Sequence, residues 1–201
     1  MAYEENPFCS RRIRPGAIPF YFPEGSSIET LLDTLDKNGW RGQIIGPHGS
    51  GKSTLLAALL PKIEQCGRRI VHLELQDGVR SLPISANDLQ AMDANTQLAI
   101  DGYEQLSYWT RRNLKNRSLH QGFGVVILGH EPLEYPDLYQ TSCDLSVAKL
   151  IVQRLLENSI VRIKDTTVEE HFERHHGNLR EMLFSLYDVY EGAYRTLNTR
   201  N

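Results

Sequence analysis

The sequence predicts an α/β fold, with a parallel β-sheet between two layers of helices and a small helical lid at the C-terminal end. Short apolar runs alternate with amphipathic segments as far as about residue 140, the pattern of a parallel sheet whose strands are connected by helices. From Val147 onward the apolar residues have helical spacing only. A glycine-rich turn, Ile45–Thr54 (IGPHGSGKST), follows the first predicted strand.

These patterns predict three domains: an extended lead-in over 1–24, an α/β core over 25–145, and a helical lid over 146–201. The lead-in contains four of the nine prolines, and we interpret its basic cluster (Arg11, Arg12 and Arg14) as solvated surface. In the core, Ser26 or Ser27 is expected to cap a helix that ends at Gly39. Further elements are expected at these positions: strands over 41–45, 68–75, 97–101, 124–130 and 137–141, and helices over 52–65 and 104–119.

Composition places the chain among ordinary soluble proteins. It has 201 residues, 40% hydrophobic, with a net charge of −3, so no overall positive field would attract nucleic acid or acidic membrane, although a local basic patch is compatible with this value. The odd number of cysteines (Cys9, Cys66 and Cys143), far apart in the chain, favours a reducing compartment. No signal peptide or run of ~20 apolar residues is found. We therefore expect a cytoplasmic protein with no membrane partner.

The glycine-rich turn matches the phosphate-binding pattern G-x-x-x-x-G-K-[ST] without a gap. Glycines allow the backbone N–H groups to surround an anion, and the N-terminus of the following helix adds its own N–H groups. Lys52 would neutralise the β and γ oxygens of a nucleotide, and Ser53 would bind Mg²⁺. The predicted nucleotide-binding residues are Gly46, Pro47, His48, Gly49, Ser50, Gly51, Lys52, Ser53 and Thr54.

An acidic residue ends the apolar run LAID at Asp101, where nucleotide-hydrolysing proteins hold Mg²⁺ through a carboxylate. Hydrolysis also needs a group that orients the attacking water. Glu104 can serve if Gly102 turns the chain sharply; otherwise it is a carboxylate in the first turn of a helix, where the helix dipole favours it. The guanine-specific pattern N-K-x-D is missing at a strand end, which favours ATP over GTP.

Four segments in this order, GPHGSGKST, LAIDGYE, GVVILGH and HHGNLRE, resemble the AAA+ ATPases of the origin-recognition or transposition-helper kind. The resemblance covers residues 40–190. It implies a P-loop NTPase fold, ATP and Mg²⁺ as cofactors, Lys52, Asp101 and Glu104 as catalytic residues, and Ser53 and Asp101 as metal ligands. It also implies that His130 and Arg180 sense the nucleotide.

The chain departs from that family in three respects. Glu104 lies three residues after Asp101 instead of next to it, a histidine occupies the position of the sensing residue, and no arginine lies between His130 and the last predicted strand. The resemblance therefore implies nucleotide binding more directly than fast hydrolysis or assembly into a ring.

Three functions fit the sequence. The first is an Mg²⁺-dependent ATPase whose lid opens and closes as an ATP-driven switch read by an unknown protein partner. The second is a module that binds ATP without hydrolysing it, and the third is a small P-loop kinase. A homo-oligomer and nucleic-acid binding are both left open, the latter without support from the net charge.

Several other side chains have both a functional and a structural interpretation. His171, His175 and His176 have spacing that can bind zinc, but we interpret them as structural or surface residues. Trp40 and Trp109 are expected to pack inside the protein. The aromatic run 20–22 could stack on adenine, although packing is the favoured interpretation. The arginines of TRRNLKNR are expected to lie on a solvated helix face; these are Arg111, Arg112 and Arg117.

Overall fold

One parallel sheet of five strands forms the centre of the α/β region in the computed structural model, which describes residues 5–199. The strands are β1 (Arg41–Ile45), β2 (Arg69–Glu74), β3 (Thr96–Asp101), β4 (Gly124–Gly129) and β5 (Asp137–Gln140). Their order in the sheet is β2-β3-β4-β1-β5, and every neighbouring pair is parallel. The predicted parallel sheet is therefore confirmed.

Helices precede, connect and follow the strands. They are α1 (Ser10–Ile13), α2 (Ile28–Lys37), α3 (Lys52–Gln65), α4 (Ala86–Gln90), α5 (Tyr108–Gln121), α6 (Leu145–Leu155), α7 (Asp165–Arg174) and α8 (Leu179–Asn198), with a 3-10 helix over Tyr103–Gln105. Strand β1 and helix α3 have the predicted bounds. The predicted helix over 104–119 instead begins at Tyr108, because the 3-10 turn comes first and Ser107 then caps α5.

The described residues divide into two compact units. The sheet unit comprises Phe22–Gly46 and Leu56–Thr141. The helical unit comprises the described residues up to Tyr21, then Pro47–Leu55, and those from Ser142 onward. The domain bounds expected from the sequence stay a prediction.

The inner strands β3, β4 and β1 contribute most of their residues to the buried interior of the sheet unit. All of β4 is buried, and β3 is buried up to its last residue. Such strands are covered on both faces, which explains why their sequences are continuous apolar runs rather than alternating patterns. The edge strand β2, by contrast, has no fully buried residue. At the start of the unit, Ser27 caps α2 through the backbone N–H of Thr30.

The core of the helical unit lies among α6, α7, α8 and the N-terminal segment. Most of the apolar residues expected at helical spacing on these helices are buried there, including Ile151, Val168, Met182, Leu183, Leu186 and Tyr190. Leu150, which was expected in the stripe of α6, is instead 44% exposed. Phe8 joins this core with no exposed surface, and its ring meets that of Tyr190 edge-to-face at 6.1 Å. The N-terminal segment is therefore part of this core.

The two tryptophans differ in burial. Trp40 is half-buried, with the Arg68 guanidinium 4.4 Å from its ring centre. Trp109 is 76% exposed, so the prediction that it packs inside the protein is wrong. Helix α5 turns its buried residues Leu114 and Ser118 inward. At 3.6 residues per turn, a side chain five positions before Leu114 lies on the far side of the helix.

Cys9, Cys66 and Cys143 are all free thiols. Within residues 5–199, no helix combines the length and the apolar character that crossing a membrane requires.

Candidate functional site

The predicted phosphate loop joins β1 to α3. Its conformation is held by the carbonyl oxygen of Pro47, which accepts hydrogen bonds from Ser50 Oγ and from Lys52 Nζ, both at 2.8 Å. The Lys52 side chain is therefore folded back over the loop, and only 8% of the residue is exposed. The ammonium group therefore lies against the backbone of the loop, and its role in phosphate binding stays a prediction.

Two glycines of the loop have backbone conformations that other residues rarely adopt. Gly49 has φ +70° and Gly51 has φ +94°. A β-carbon built on Gly49 would lie 1.9 Å from Oδ1 of Asn178, and one built on Gly51 would lie 3.3 Å from the Phe20 ring. Both positions therefore favour glycine, Gly49 more strongly than Gly51. A glycine backbone of this kind fits the close approach of an anionic phosphate chain.

Asn178 and Phe20 are two neighbours of the loop that no sequence pattern assigned to phosphate binding. Asn178 Oδ1 accepts a hydrogen bond from the backbone N–H of Glu181 at 3.2 Å, which caps α8, and the same oxygen lies against Gly49. The sequence signal was present in the Gly177-Asn178 pair, which marks a helix start. Contact with a distant loop has no local signature.

Arg180, the predicted nucleotide-sensing arginine, lies in the first turn of α8, two residues after Asn178. It is exposed, and its guanidinium carbon is 5.8 Å from the centre of the Phe184 ring. The structure thus places Arg180 on the helix whose capping residue contacts the phosphate loop. Its sensing role stays a prediction.

In the sheet unit, the carboxyl ends of β3, β4 and β1 lie side by side at one edge of the sheet. Asp101 is the last residue of β3, His130 follows β4, and Gly46 follows β1. The N–H of Gly46 donates to the carbonyl of Gly129 at 3.2 Å, so the pairing of β1 and β4 continues to this point. Ligands of open α/β sheets bind at this edge.

Gly102 produces the sharp turn that the proposed role of Glu104 requires. Its φ is +81°, and a β-carbon there would lie 2.6 Å from the carbonyl oxygen of Leu75. Leu75 is held in place because its N–H donates to the carbonyl of Asp101 at 2.9 Å. The turn leads directly into the 3-10 helix, in which Tyr103 is buried and Glu104 is half-buried.

Glu104 and His130 are in contact. Oε1 of Glu104 lies 3.3 Å from Nε2 of His130, and Nδ1 of the same ring lies 3.3 Å from the carbonyl oxygen of Gly46. An ionised carboxylate and a carbonyl both accept hydrogen bonds, so a neutral imidazole can donate to only one of them. His130 therefore connects the end of β1 to the predicted water-orienting group.

The second carboxylate oxygen of Glu104, Oε2, is buried and has no hydrogen-bond partner among residues 5–199. Burying such an oxygen costs free energy unless it accepts a hydrogen bond. Glu104 is thus held by one oxygen and is suited to accept a hydrogen bond from water through the other.

The predicted metal ligands are Ser53, in the first turn of α3, and Asp101; both residues are half-buried. In the part of the chain that the structure describes, no group of three or more histidine, cysteine, aspartate or glutamate side chains could hold a metal ion. Proteins bind Mg²⁺ through one or two side chains together with the phosphates of a substrate. The role of Ser53 and Asp101 as metal ligands stays a prediction.

His171 has a structural environment. Ser185 Oγ donates to the carbonyl of Met182 at 2.7 Å, so it accepts from Nδ1 of His171, also at 2.7 Å. Burial lowers the pKa of His171, with a smaller contribution from the nearby positive charge of Arg174. This environment supports the interpretation of His171 as a structural residue rather than a zinc ligand.

The comparison with curated proteins matches only a short part of the chain. No protein-family model matches the sequence. A 57-residue stretch is 35% identical to the DNA repair and recombination protein RadB of Methanobrevibacter smithii, covering 28% of this chain and 24% of the relative. The chain thus spans about a quarter of the curated relative that it matches.

Solved structures resemble far more of the chain. A DNA replication initiation factor aligns with TM-score 0.60 and 15% identity over 90% of this chain and 65% of its own. A RuvB variant of Thermotoga maritima aligns with TM-score 0.58 and 17% identity, over 85% of this chain and 61% of its own. AMPPCP-bound DnaA of Aquifex aeolicus aligns with TM-score 0.57 and 16% identity, over 90% of this chain and 67% of its own. The chain has the fold of AAA+-like P-loop NTPases. This confirms the fold expected from the four sequence segments, while the chain spans under two thirds of the first two structures.

Proposed function

We propose that the chain binds ATP together with Mg²⁺ at the phosphate loop and acts as an ATPase whose helical unit responds to the nucleotide. The observation that carries the proposal is the loop itself, in which Gly49 and Gly51 exclude side chains while Lys52 lies folded over the backbone. Support comes from the fold that the chain shares with the solved structures, one of which was solved with the ATP analogue AMPPCP bound.

In this proposal, Lys52 binds the β and γ phosphates, and the backbone of Gly46–Thr54 surrounds them. Ser53 and Asp101 would hold Mg²⁺, which supplies charge neutralisation to the phosphate chain. Glu104 would orient the attacking water through Oε2, the oxygen without a protein partner among the described residues. His130 would fix the carboxylate through Oε1 and would sense the γ-phosphate from the end of β4.

The response of the helical unit would begin at Asn178. Its side chain contacts Gly49 and caps α8, so a phosphate bound in the loop bears on the start of this helix. Arg180 would add a direct contact with the nucleotide. A γ-phosphate contact present with ATP and lost with ADP shifts the population between two conformations by its differential free energy, and an unidentified protein partner would read the difference.

The deciding experiment compares Lys52→Ala with Lys62→Ala. Both lysines lie on α3, but Lys62 is half-buried and pairs with Glu29 at 3.6 Å instead of the loop. We expect Lys52→Ala to lose ATP binding measured by calorimetry and ATPase activity measured by phosphate release, while Lys62→Ala keeps both. Unchanged binding and activity in Lys52→Ala would contradict the proposal.

A module that binds ATP without hydrolysis is the second candidate, favoured by the contact that already holds Glu104 against His130. In that case Mg-ATP raises the melting temperature by mass action but no phosphate is released. Consumption of ATP with release of phosphate and without any added acceptor identifies the ATPase. Consumption of ATP that depends on an added metabolite, with the phosphoryl group transferred to that metabolite, identifies a kinase.

A further inference from the structure

A second concave site lies in the helical unit. It is a cavity of about 570 Å³ between the N-terminal segment and the C-terminal half of α6. None of its lining residues belongs to the phosphate loop. The volume is within the range of small-molecule sites, roughly 300–1,000 Å³. The lining residues that decide its chemistry are Arg11, Arg12, Ile18, Ile151, Arg154 and Leu155.

The charged part of this lining is entirely cationic. Arg11, Arg12 and Arg154 contribute three guanidinium groups, and among residues 5–199 no aspartate or glutamate lines the cavity. Glu5 pairs with Arg11 and lies 3.8 Å from Arg12. The hydrogen bond from Arg11, with the charges of Arg11 and Arg12, holds the pKa of Glu5 below its usual value. Arg154 has no ion pair within residues 5–199.

The balance of charge indicates which anion fits. Among the described residues, three guanidinium groups and the carboxylate of Glu5, 3 − 1, leave two positive charges. A phosphate monoester carries about −1.5 to −2 charges at neutral pH and three strong acceptor oxygens, whereas a carboxylate carries only one charge. Guanidinium groups also bind phosphate with two parallel hydrogen bonds.

Apart from the polar residues Asn158 and Ser159, the remaining wall is apolar. Ile18 faces the cavity from the N-terminal segment, and Ile151 and Leu155 face it from α6. A ligand that fills the cavity therefore buries an apolar part beside its anionic group. Inorganic phosphate can bind the arginines but has no apolar part to cover the apolar side chains of the wall.

We infer that this cavity is a binding site for an organic phosphate monoester with an apolar body, distinct from the ATP site. Arg12 and Arg154 hold the phosphate, and the apolar body is covered by Ile18, Ile151 and Leu155. The carboxylate of Glu5, which belongs to the same chain, competes with the ligand for Arg11 and Arg12. Removal of a negative side chain that is itself outside the cavity lining should strengthen binding.

Calorimetry with phenyl phosphate tests the site in the full chain carrying Lys52→Ala, which suppresses binding at the phosphate loop. We expect one site that binds phenyl phosphate more tightly than inorganic phosphate and does not bind phenol. Removing a charged hydrogen bond should weaken binding about tenfold or more, so Arg12→Ala and Arg154→Ala are expected to do so. Glu5→Gln should tighten it severalfold.

Arg14→Ala is the matched control, because Arg14 belongs to the same basic cluster, is exposed, and does not line the cavity. Its affinity for phenyl phosphate should be unchanged. Equal losses in Arg14→Ala and Arg154→Ala, equal affinity for inorganic phosphate and phenyl phosphate, or no gain in Glu5→Gln would each overturn the inference. Melting curves of all variants confirm that they are folded.

A phosphotyrosine peptide distinguishes the two sources of such a ligand. Tighter binding of the peptide than of phenyl phosphate assigns the site to a phosphorylated partner. Tighter binding of phenyl phosphate assigns it to a free small molecule. The site does not depend on the ATPase proposal: if Lys52→Ala leaves ATP binding intact, that proposal fails while the effects of Arg154→Ala and Glu5→Gln still decide this one.

Discussion

The sheet unit and the helical unit build their cores in different ways. In the sheet unit, the core consists largely of uninterrupted apolar strands such as β4, where every residue is buried. In the helical unit, amphipathic helices supply one face each, and Phe8 completes the core from the opposite end of the sequence. The difference teaches that a core built from apolar strands can be identified from local sequence patterns. A core assembled from distant segments also depends on long-range contacts, which local patterns do not reveal.

The largest expected effect comes from a matched pair of phenylalanines, Phe8 in the helical unit and Phe123 in the sheet unit, both with no exposed surface. Truncation of either to alanine should cost about 3–5 kcal/mol of unfolding free energy, because a large buried side chain is replaced by a cavity. Urea unfolding followed by circular dichroism measures both. If Phe8→Ala lowered the unfolding free energy by less than about 1 kcal/mol, the N-terminal segment would not be part of the helical core.

The next effect compares two glycines with positive φ. Gly102→Ala in the sheet unit would bring its β-carbon to 2.6 Å from a backbone carbonyl, which cannot move without disturbing β3. Gly49→Ala in the helical unit would meet the Asn178 side chain, which can rotate or be removed. We expect both to destabilise by about 1–3 kcal/mol, with the larger loss for Gly102→Ala.

A double-mutant cycle sharpens this comparison. Asn178→Ala should recover part of the stability lost in Gly49→Ala, because it removes the clash and leaves only the strain of a positive φ. Chemical denaturation of the single and double variants gives the coupling energy. Strictly additive losses would show that Asn178 does not limit the space beside the phosphate loop.

A smaller effect should appear as the pH is lowered. The folded helical unit holds His171 neutral with a lowered pKa, whereas in the unfolded chain the imidazole binds a proton below about pH 6.5. The unfolded state then binds more protons, so stability falls as the pH decreases from 7 through 6.5 towards the folded pKa, by at most about 1.4 kcal/mol per pH unit. Unfolding measured between pH 7 and 5.5 should show a smaller slope in His171→Gln. An unchanged slope would contradict this account.

The smallest expected effect is a difference in the rate of chemical labelling between two thiols, one in each unit. Cys66 in the sheet unit is exposed, whereas burial in the helical unit, with the charge of Asp144, raises the pKa of Cys143 to about 11. Iodoacetamide at neutral pH should therefore modify Cys66 well before Cys143, as followed by peptide mass spectrometry. Faster modification of Cys143 would show that the helical unit opens readily at α6.

Much of the site followed from short sequence patterns, because the chemistry lies in consecutive residues. The phosphate loop, its strand β1 and its helix α3 are local, and their bounds were predicted. Asp101 at the end of β3 and the sharp turn at Gly102 were also expected from adjacent residues. Trp109 was predicted wrongly because composition favours burial of tryptophan, while the direction of α5 was set by Leu114 and Ser118.

The sequence by itself determined the alternation of strands and helices, the glycine pattern of the phosphate loop and the apolar stripes of α6, α7 and α8. These depend on the periodicity of the backbone and on the conformations that glycine alone adopts, both of which are local properties. Only the tertiary structure decided that Glu104 meets His130, that Asn178 lies against Gly49, and that Arg154 joins Arg11 and Arg12 around one cavity. The physical reason is that these contacts join segments distant in the chain, and their distances are set by how strands and helices pack rather than by the residues next to them.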